Sequence, residues 1–325
     1  MGQEINILTE VGDEIGFGHF VRCSAIKKVL EANGFNVFTY VYCNNYDLSE
    51  EGSIFKHDWI KKRTQISDLF AGSVVIIDSY IATSSLYQFY SKKCNVLIAI
   101  DDYNRIAYKS DYIINPNVYF DDIDYSNQSA KCLGGRDYVI LRETFRKNTK
   151  SKTSSPEIKT VLVTLGGTDF RKILNKVSRT LSNINFIEKV IFVVPSLKEQ
   201  SAIFCDNRFR ILGGQTDVNI KSLMLNSDIV LSACGQTLHE LASLGQSVIA
   251  ICLDKDQLLN QDYYFRKNFL RDKIFWNDSD LEFKIQSQIL QINLDKKKLK
   301  KAKPYKGLID KNGVCNILNL LKEIS

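Results

Sequence analysis

The chain has 325 residues, 44% hydrophobic and 25% charged. That is too apolar for general disorder and too long for one ordinary core, and it suits two domains of about 150 residues each. The net charge of +6 gives a mild positive field that favours an anionic, phosphate-bearing ligand, and no apolar run reaches the roughly 18–20 residues of a bilayer span. The opening MGQEINILTE has neither a basic leader nor an apolar signal core, so a cytoplasmic protein is expected. Eight cysteines and three histidines form no C-x-x-C pair and no zinc spacing. The thiols read as free and mostly buried, and neither metal nor cofactor is expected.

Taken in chain order, short β-branched runs alternate with helical patterns. INILTE (5–10) is a predicted strand, and HFVRCSAIKKVLEANG (19–34) is a helix stopped by Gly34. FNVFTYVY (35–42), VVIID (74–78), NVLIAIDD (95–102) and DYIIN (111–115) are further strands. Near-continuous apolar runs of this kind suit parallel strands covered on both faces. The polar stretch RETFRKNTKSKTSSPEIK (142–159) reads as a linker. The alternation then restarts with TVLVTL (160–165), KVIFVV (189–194), DIVLSA (228–233), a helix TLHELASLG (237–245) and SVIAICL (247–253). The expectation is an α/β protein of two Rossmann-like domains, 1–148 and 149–325, facing a central cleft. The basic run DKKKLKKAKPYK (295–306) lacks interleaved aromatics and any nucleic-acid module. It reads as a solvated helix face, so no nucleic-acid partner is expected.

Parallel α/β sheets bind ligands at the carboxyl ends of their strands, and four segments fall there. Gly16-Phe17-Gly18-His19, with Arg22 one turn on, joins a glycine-rich turn to a helix start. Such a turn lets a ligand approach the backbone, and a histidine there can act as a general base. Asp78 and Tyr80, like Asp101 and Asp102, either face the ligand or serve as caps and packing groups. Gly166-Gly167-Thr168 presents successive amides to a diphosphate. Gly235-Gln236-Thr237 opens a helix whose amides suit phosphate, with Glu240 placed to hold a ribose and His239 pointing away from it as a packing residue. A capping role is the other reading of Glu240.

The collinear segments IGFGHFVRC, VIIDSY, AIDDYNR, YIINPNVY, YVILRETF, LGGTDF, LSACGQTLHELASLG and LIDKNG run from Gly16 to Gly313. Together they resemble the pseudaminic acid pathway UDP-sugar hydrolase and the related spore coat polysaccharide biosynthesis proteins, which are similar in fold to GT-B glycosyltransferases. The resemblance implies metal-independent hydrolysis of UDP-2,4-diacetamido-2,4,6-trideoxy-β-L-altropyranose to UDP and the free sugar, a nonulosonic acid precursor. It places the catalytic histidine at His19 and a sugar-side tyrosine at Tyr80. The diphosphate loops fall at Gly166, Gly167 and Gly235 to Thr237, and the ribose contact at Glu240. One departure stands out: where that family has Asn-Gln, this chain has Asp256-Gln257, with a second Asn-Gln at Asn260-Gln261. A carboxylate there repels a diphosphate or selects another amino sugar. A glycosyltransferase of the same fold and a non-catalytic sugar-nucleotide-binding protein are the alternatives.

Overall fold

The structure is a computed structural model that describes residues 3–12, 16–44, 52–147, 157–166, 171–194, 197–214, 216–299 and 308–324. Its elements follow in chain order as β1 (Glu4–Gly12), α1 (Gly18–Ala32), β2 (Asn36–Asn44), β3 (Ile54–Lys56), β4 (Val74–Asp78), α2 (Ser84–Tyr90), β5 (Val96–Ile100), β6 (Tyr112–Asn115) and β7 (Lys131–Gly134). After α3 (Glu143–Arg146) come β8 (Thr160–Thr164), α4 (Leu174–Ser182), β9 (Lys189–Val194), β10 (Phe209–Gly213), α5 (Asp217–Asn226), β11 (Ile229–Ala233) and α6 (Gln236–Leu244). The chain continues through β12 (Val248–Cys252), α7 (Leu258–Arg266), β13 (Ile274–Phe275), α8 (Leu281–Leu299) and α9 (Gly313–Glu323).

Two sheets result, ordered β3-β2-β1-β4-β5-β6-β7 and β10-β9-β8-β11-β12-β13, with every pairing parallel. Each has the Rossmann order in which the chain runs outward one way, returns, and runs outward the other. The expected double α/β architecture is therefore present. The central strands β4, β11 and β12 are buried at every position, as their unbroken apolar runs predicted. Gly34 has φ +89° just beyond α1 and Gly245 has φ +67° at the end of α6. Both adopt the left-handed conformation that ends a helix at little cost only for glycine.

The compact units divide the chain differently from the sequence expectation. One is Met1–Arg142 with Asp310–Ser325, the other Glu143–Ile309, whereas the sequence suggested 1–148 and 149–325. The last helix thus belongs to the first unit. Its buried Val314, Ile317, Leu318, Leu320 and Leu321 share a core with Ile5 and Ile7 of β1 and Ile26 and Leu30 of α1. Full burial of each such side chain contributes about 1.5–3 kcal/mol, which fixes α9 against this sheet. Gly313 admits the close approach: a Cβ there would lie 2.1 Å from the Val139 carbonyl oxygen. Near its start the expected linker forms α3, and the carbonyls of Thr144 in α3 and of Lys147 just after it accept hydrogen bonds from Lys221 Nζ at 2.5 and 3.1 Å. Its residues 148–156 lie outside the described residues. The second unit packs its own core of β8, β9, β11 and β12 with α4 and α8, including Val177, Leu181, Ile285 and Ile289.

Candidate functional site

In the first unit the strand order reverses between β1 and β4, and the carboxyl ends of such a pair form the ligand crevice of an open α/β sheet. α1 starts at that edge. Gly16 has φ +78°, a left-handed conformation that favours glycine, and donates its amide to the Gly12 carbonyl at 2.7 Å. A Cβ at Gly18 would meet nothing within 4 Å, which leaves open space in front of the helix start.

His19 is buried in the first turn of α1, with Nδ1 2.6 Å from Asp78 Oδ1 at the end of β4. Asp78 is fully buried and also accepts from Arg22 Nε and Nη2, both at 2.6 Å, and from the Cys23 thiol at 3.4 Å. Burial by itself raises the Asp78 carboxyl, but the Arg22 and His19 charges and hydrogen bonds outweigh it and hold the group well below the usual range. Asp78 is therefore ionised and can only accept, so the His19 Nδ1 carries the proton and Nε2 is left as the basic nitrogen.

Arg22 was a sequence candidate for substrate binding. The structure makes it an internal clamp: besides its two bonds to Asp78 it donates to Asp102 Oδ1 at 2.8 Å and Oδ2 at 3.1 Å. Burial works against the guanidinium charge, yet the two carboxylates raise its proton affinity well above the ordinary value. Asp102, which burial pushes up, is brought below its ordinary value by Arg22. It also accepts from the Tyr80 hydroxyl at 2.6 Å and from Asn117 Nδ2 at 2.6 Å. Tyr80 stands edge-on to the His19 ring, centroids 4.3 Å apart. Its proton is committed to Asp102, so toward other groups its oxygen acts as an acceptor.

Sequence reasoning missed Glu10 and Asn117. Glu10 is fully buried near the end of β1, accepts the Tyr80 amide at 2.7 Å and the Ser79 hydroxyl, and burial pushes its carboxyl upward. It therefore ties the Tyr80 loop to β1. An acidic residue interrupting an apolar strand near its carboxyl end was the available signal. Asp101 takes the capping role: it accepts from Asn104 N at 2.6 Å and from the hydroxyls of Tyr108 and Tyr125, both at 2.5 Å.

In the second unit the order reverses between β8 and β11. Gly166 follows β8 with φ +95°, and a Cβ there would meet nothing within 4 Å. Gly167 and Thr168 lie outside the described residues. Gly235 is the N-cap of α6, no side chain caps that end, and Gln236 and Thr237 form the first turn. The structure brings the α6 start and Gly166 to the carboxyl ends of adjacent strands, the placement that suits a phosphate. Glu240 is fully buried one turn into α6. His239 is also buried, its Nδ1 2.8 Å from the Tyr264 hydroxyl. Gln257 turns inward: its Oε1 accepts from Cys234 N at 3.2 Å and Leu253 N at 3.1 Å, tying β11 to β12. Asp256 is exposed beside it, while Asn260 is buried in α7. None of the eight cysteines is in a disulfide, and three of them, Cys23, Cys234 and Cys252, are buried, fewer than the sequence suggested, with Cys205 exposed. No helix among the described residues is long and apolar enough to cross a membrane.

Several solved structures share this fold. UDP-GlcNAc 2-epimerase from Neisseria meningitidis bound to UDP-GlcNAc is 13% identical over 99% of this chain and 100% of that one, with a TM-score of 0.62. The S. aureus MnaA–UDP complex is 12% identical over 99% and 96% of the two chains, with a TM-score of 0.64. The glycotransferase of kitacinnamycin is 10% identical over 99% of each chain, with a TM-score of 0.61. At these identities the likeness is one of fold, the two parallel-sheet α/β domains of GT-B glycosyltransferases and epimerases. In sequence, the chain is 25% identical over 293 residues to an uncharacterised protein of Methanocaldococcus jannaschii, MJ1062. That match covers 81% of this chain and 58% of the relative's length. Residues 155–319 match the family described as protein of unknown function (DUF354), and the chain belongs to that family.

Proposed function

We propose that this protein is an enzyme of UDP-sugar metabolism in which His19 is the general base. The proposed reaction is hydrolysis of a UDP-activated diacetamido-trideoxyhexose to UDP and the free sugar. The observation that carries this reading is the Asp78–His19 pair at the β1–β4 reversal, with Nδ1 held at 2.6 Å and Nε2 left as the basic nitrogen. A buried carboxylate that fixes the tautomer and orientation of a histidine is the arrangement general-base catalysis requires. Two fold neighbours, one in complex with UDP and one with UDP-GlcNAc, support the substrate class.

In this reading water attacks the anomeric carbon, and His19 Nε2 takes the water's proton. The C1–O bond breaks and its electron pair goes to the diphosphate. The second unit binds the nucleotide through Gly166, Gly167, Thr168 and the start of α6 at Gly235, Gln236 and Thr237, whose amides stabilise the leaving charge. Glu240 holds the ribose, Tyr80 is the first unit's candidate beside His19, and Asp256 and Gln257 are the second unit's candidates for substrate binding.

A glycosyltransferase is the second reading, since His19 deprotonates an acceptor hydroxyl as readily as water and one fold neighbour is named a glycotransferase. Incubation with a panel of UDP-diacetamido-trideoxyhexoses without acceptor separates the two. UDP and free sugar appearing together support the hydrolase. UDP release only on adding an acceptor supports the transferase, and binding without any release sinks both.

A further inference from the structure

His19 sits in a closed set of charges. Around it among the described residues are Arg22 from α1, Asp78 at the end of β4 and Tyr80 just beyond it, Asp102 after β5 and Glu10 from β1, while the Cys23 thiol bonds Asp78. Arg22 Nη2 is 3.2 Å from His19 Nδ1 and bonds Asp78 and Asp102 at once. Asp102 reaches the imidazole through that guanidinium and through Tyr80, whose hydroxyl it accepts and whose ring stands edge-on to His19.

We propose that Arg22 and Asp102 are positioning residues that set, in opposite directions, the pH at which His19 takes up a proton. With His19 neutral, Asp78, Asp102 and Arg22 together carry one net negative charge. The proton that His19 accepts brings the three side chains and the imidazole to balance. Buried charges are poorly screened, so that balance is felt at the imidazole. Without Arg22 two carboxylates face His19 uncompensated, and its cation is favoured. Without the Asp102 charge the guanidinium answers to Asp78 alone, and the cation is disfavoured. Asp102 is thus a remote group with a predictable sign of effect on the base, a role no sequence motif assigns to it. The kinetic consequence rests on His19 being the base of the proposed reaction, but the proton uptake itself does not.

The test is nuclear magnetic resonance of histidine-labelled protein, followed through pH. The chain has only His19, His57 and His239, so each resonance is assigned by single replacement, and the last two report the integrity of the fold. Asp102→Asn is expected to lower the His19 midpoint. Arg22→Gln is expected to raise it by about one unit or more, within the usual range for removal of a charge within 4–6 Å. Arg22→Lys, which keeps the charge, is expected to stay close to the parent. A structural role alone moves both neutralising variants the same way or not at all, and either result overturns the proposal. If Arg22→Gln does not fold, the direction seen with Asp102→Asn decides by itself. The acid limb of the rate profile should follow the resonance midpoint. Midpoints that shift as expected while the rate profile stays fixed keep the proposal and remove His19 from the mechanism.

Discussion

Replacing Asp78 with asparagine tests the centre of the site while keeping its shape. Asp78 has no exposed surface and accepts from His19 Nδ1, Arg22 Nε, Arg22 Nη2 and the Cys23 thiol. Asparagine offers one acceptor oxygen, so its amide nitrogen must face a donor of His19 or Arg22. Removing one partner of a buried ion pair costs about 3–5 kcal/mol. Arg22 keeps both bonds to Asp102, which places the expected loss near the lower end, about 3 kcal/mol. The sign of the pH dependence follows from Asp78 being held low in the fold. Its contribution is complete above the unfolded carboxyl value of about 3.9 and is lost as pH falls below that toward the folded value. Urea unfolding of parent and variant should therefore differ by about 3 kcal/mol at pH 7, with the gap narrowing below about pH 4. Turnover should fall by about 10²–10⁴, because the imidazole loses the group that holds its tautomer. Equal stability at neutral pH, or a gap that widens on acidification, would refute the reasoning.

His19→Asn should bind the UDP-sugar with near-native affinity and release UDP at least about a hundredfold more slowly; a variant turning over at the native rate would exclude the base. Glu240→Gln should raise KM with a smaller effect on kcat, since a ribose contact is shared by ground and transition states. Its thermal midpoint is measured alongside, because Glu240 is fully buried. UDP alone should slow amide exchange around Gly166 and Gly235; protection confined to the first unit would contradict the nucleotide assignment. Gly313→Ala should destabilise the protein by about 1–3 kcal/mol or more, as overpacking does, because its new Cβ would lie 2.1 Å from the Val139 oxygen; an unchanged thermal midpoint would argue against the tight seat of α9.

Much of the fold was legible from local pattern. Strands buried on both faces announce themselves as unbroken β-branched runs, and β4 and β9 begin and end where VVIID and KVIFVV do. The short edge strands β3 and β7 were not legible, since their residues are partly exposed and carry no strong pattern. Gly16, Gly18 and His19 could be singled out because a glycine turn feeding a helix is a contiguous signal. Asp78 and Asp102 were seen only as ambiguous strand-end acids, and Arg22 as a ligand-binding group.

The sequence by itself determined the alternation of strands and helices and the positions where strands hand over to helices, because periodicity and turn chemistry are properties of neighbouring residues. Tertiary structure decided which strand ends meet. His19 and Asp78 are 59 positions apart, and Arg22 and Asp102 are 80 apart. They touch because β4 pairs with β1 and β5 with β4 in parallel register. It also decided that α9, last in the chain, closes the first unit. An amphipathic helix carries the demand for an apolar partner, and only the packed sheet supplies the one that fits.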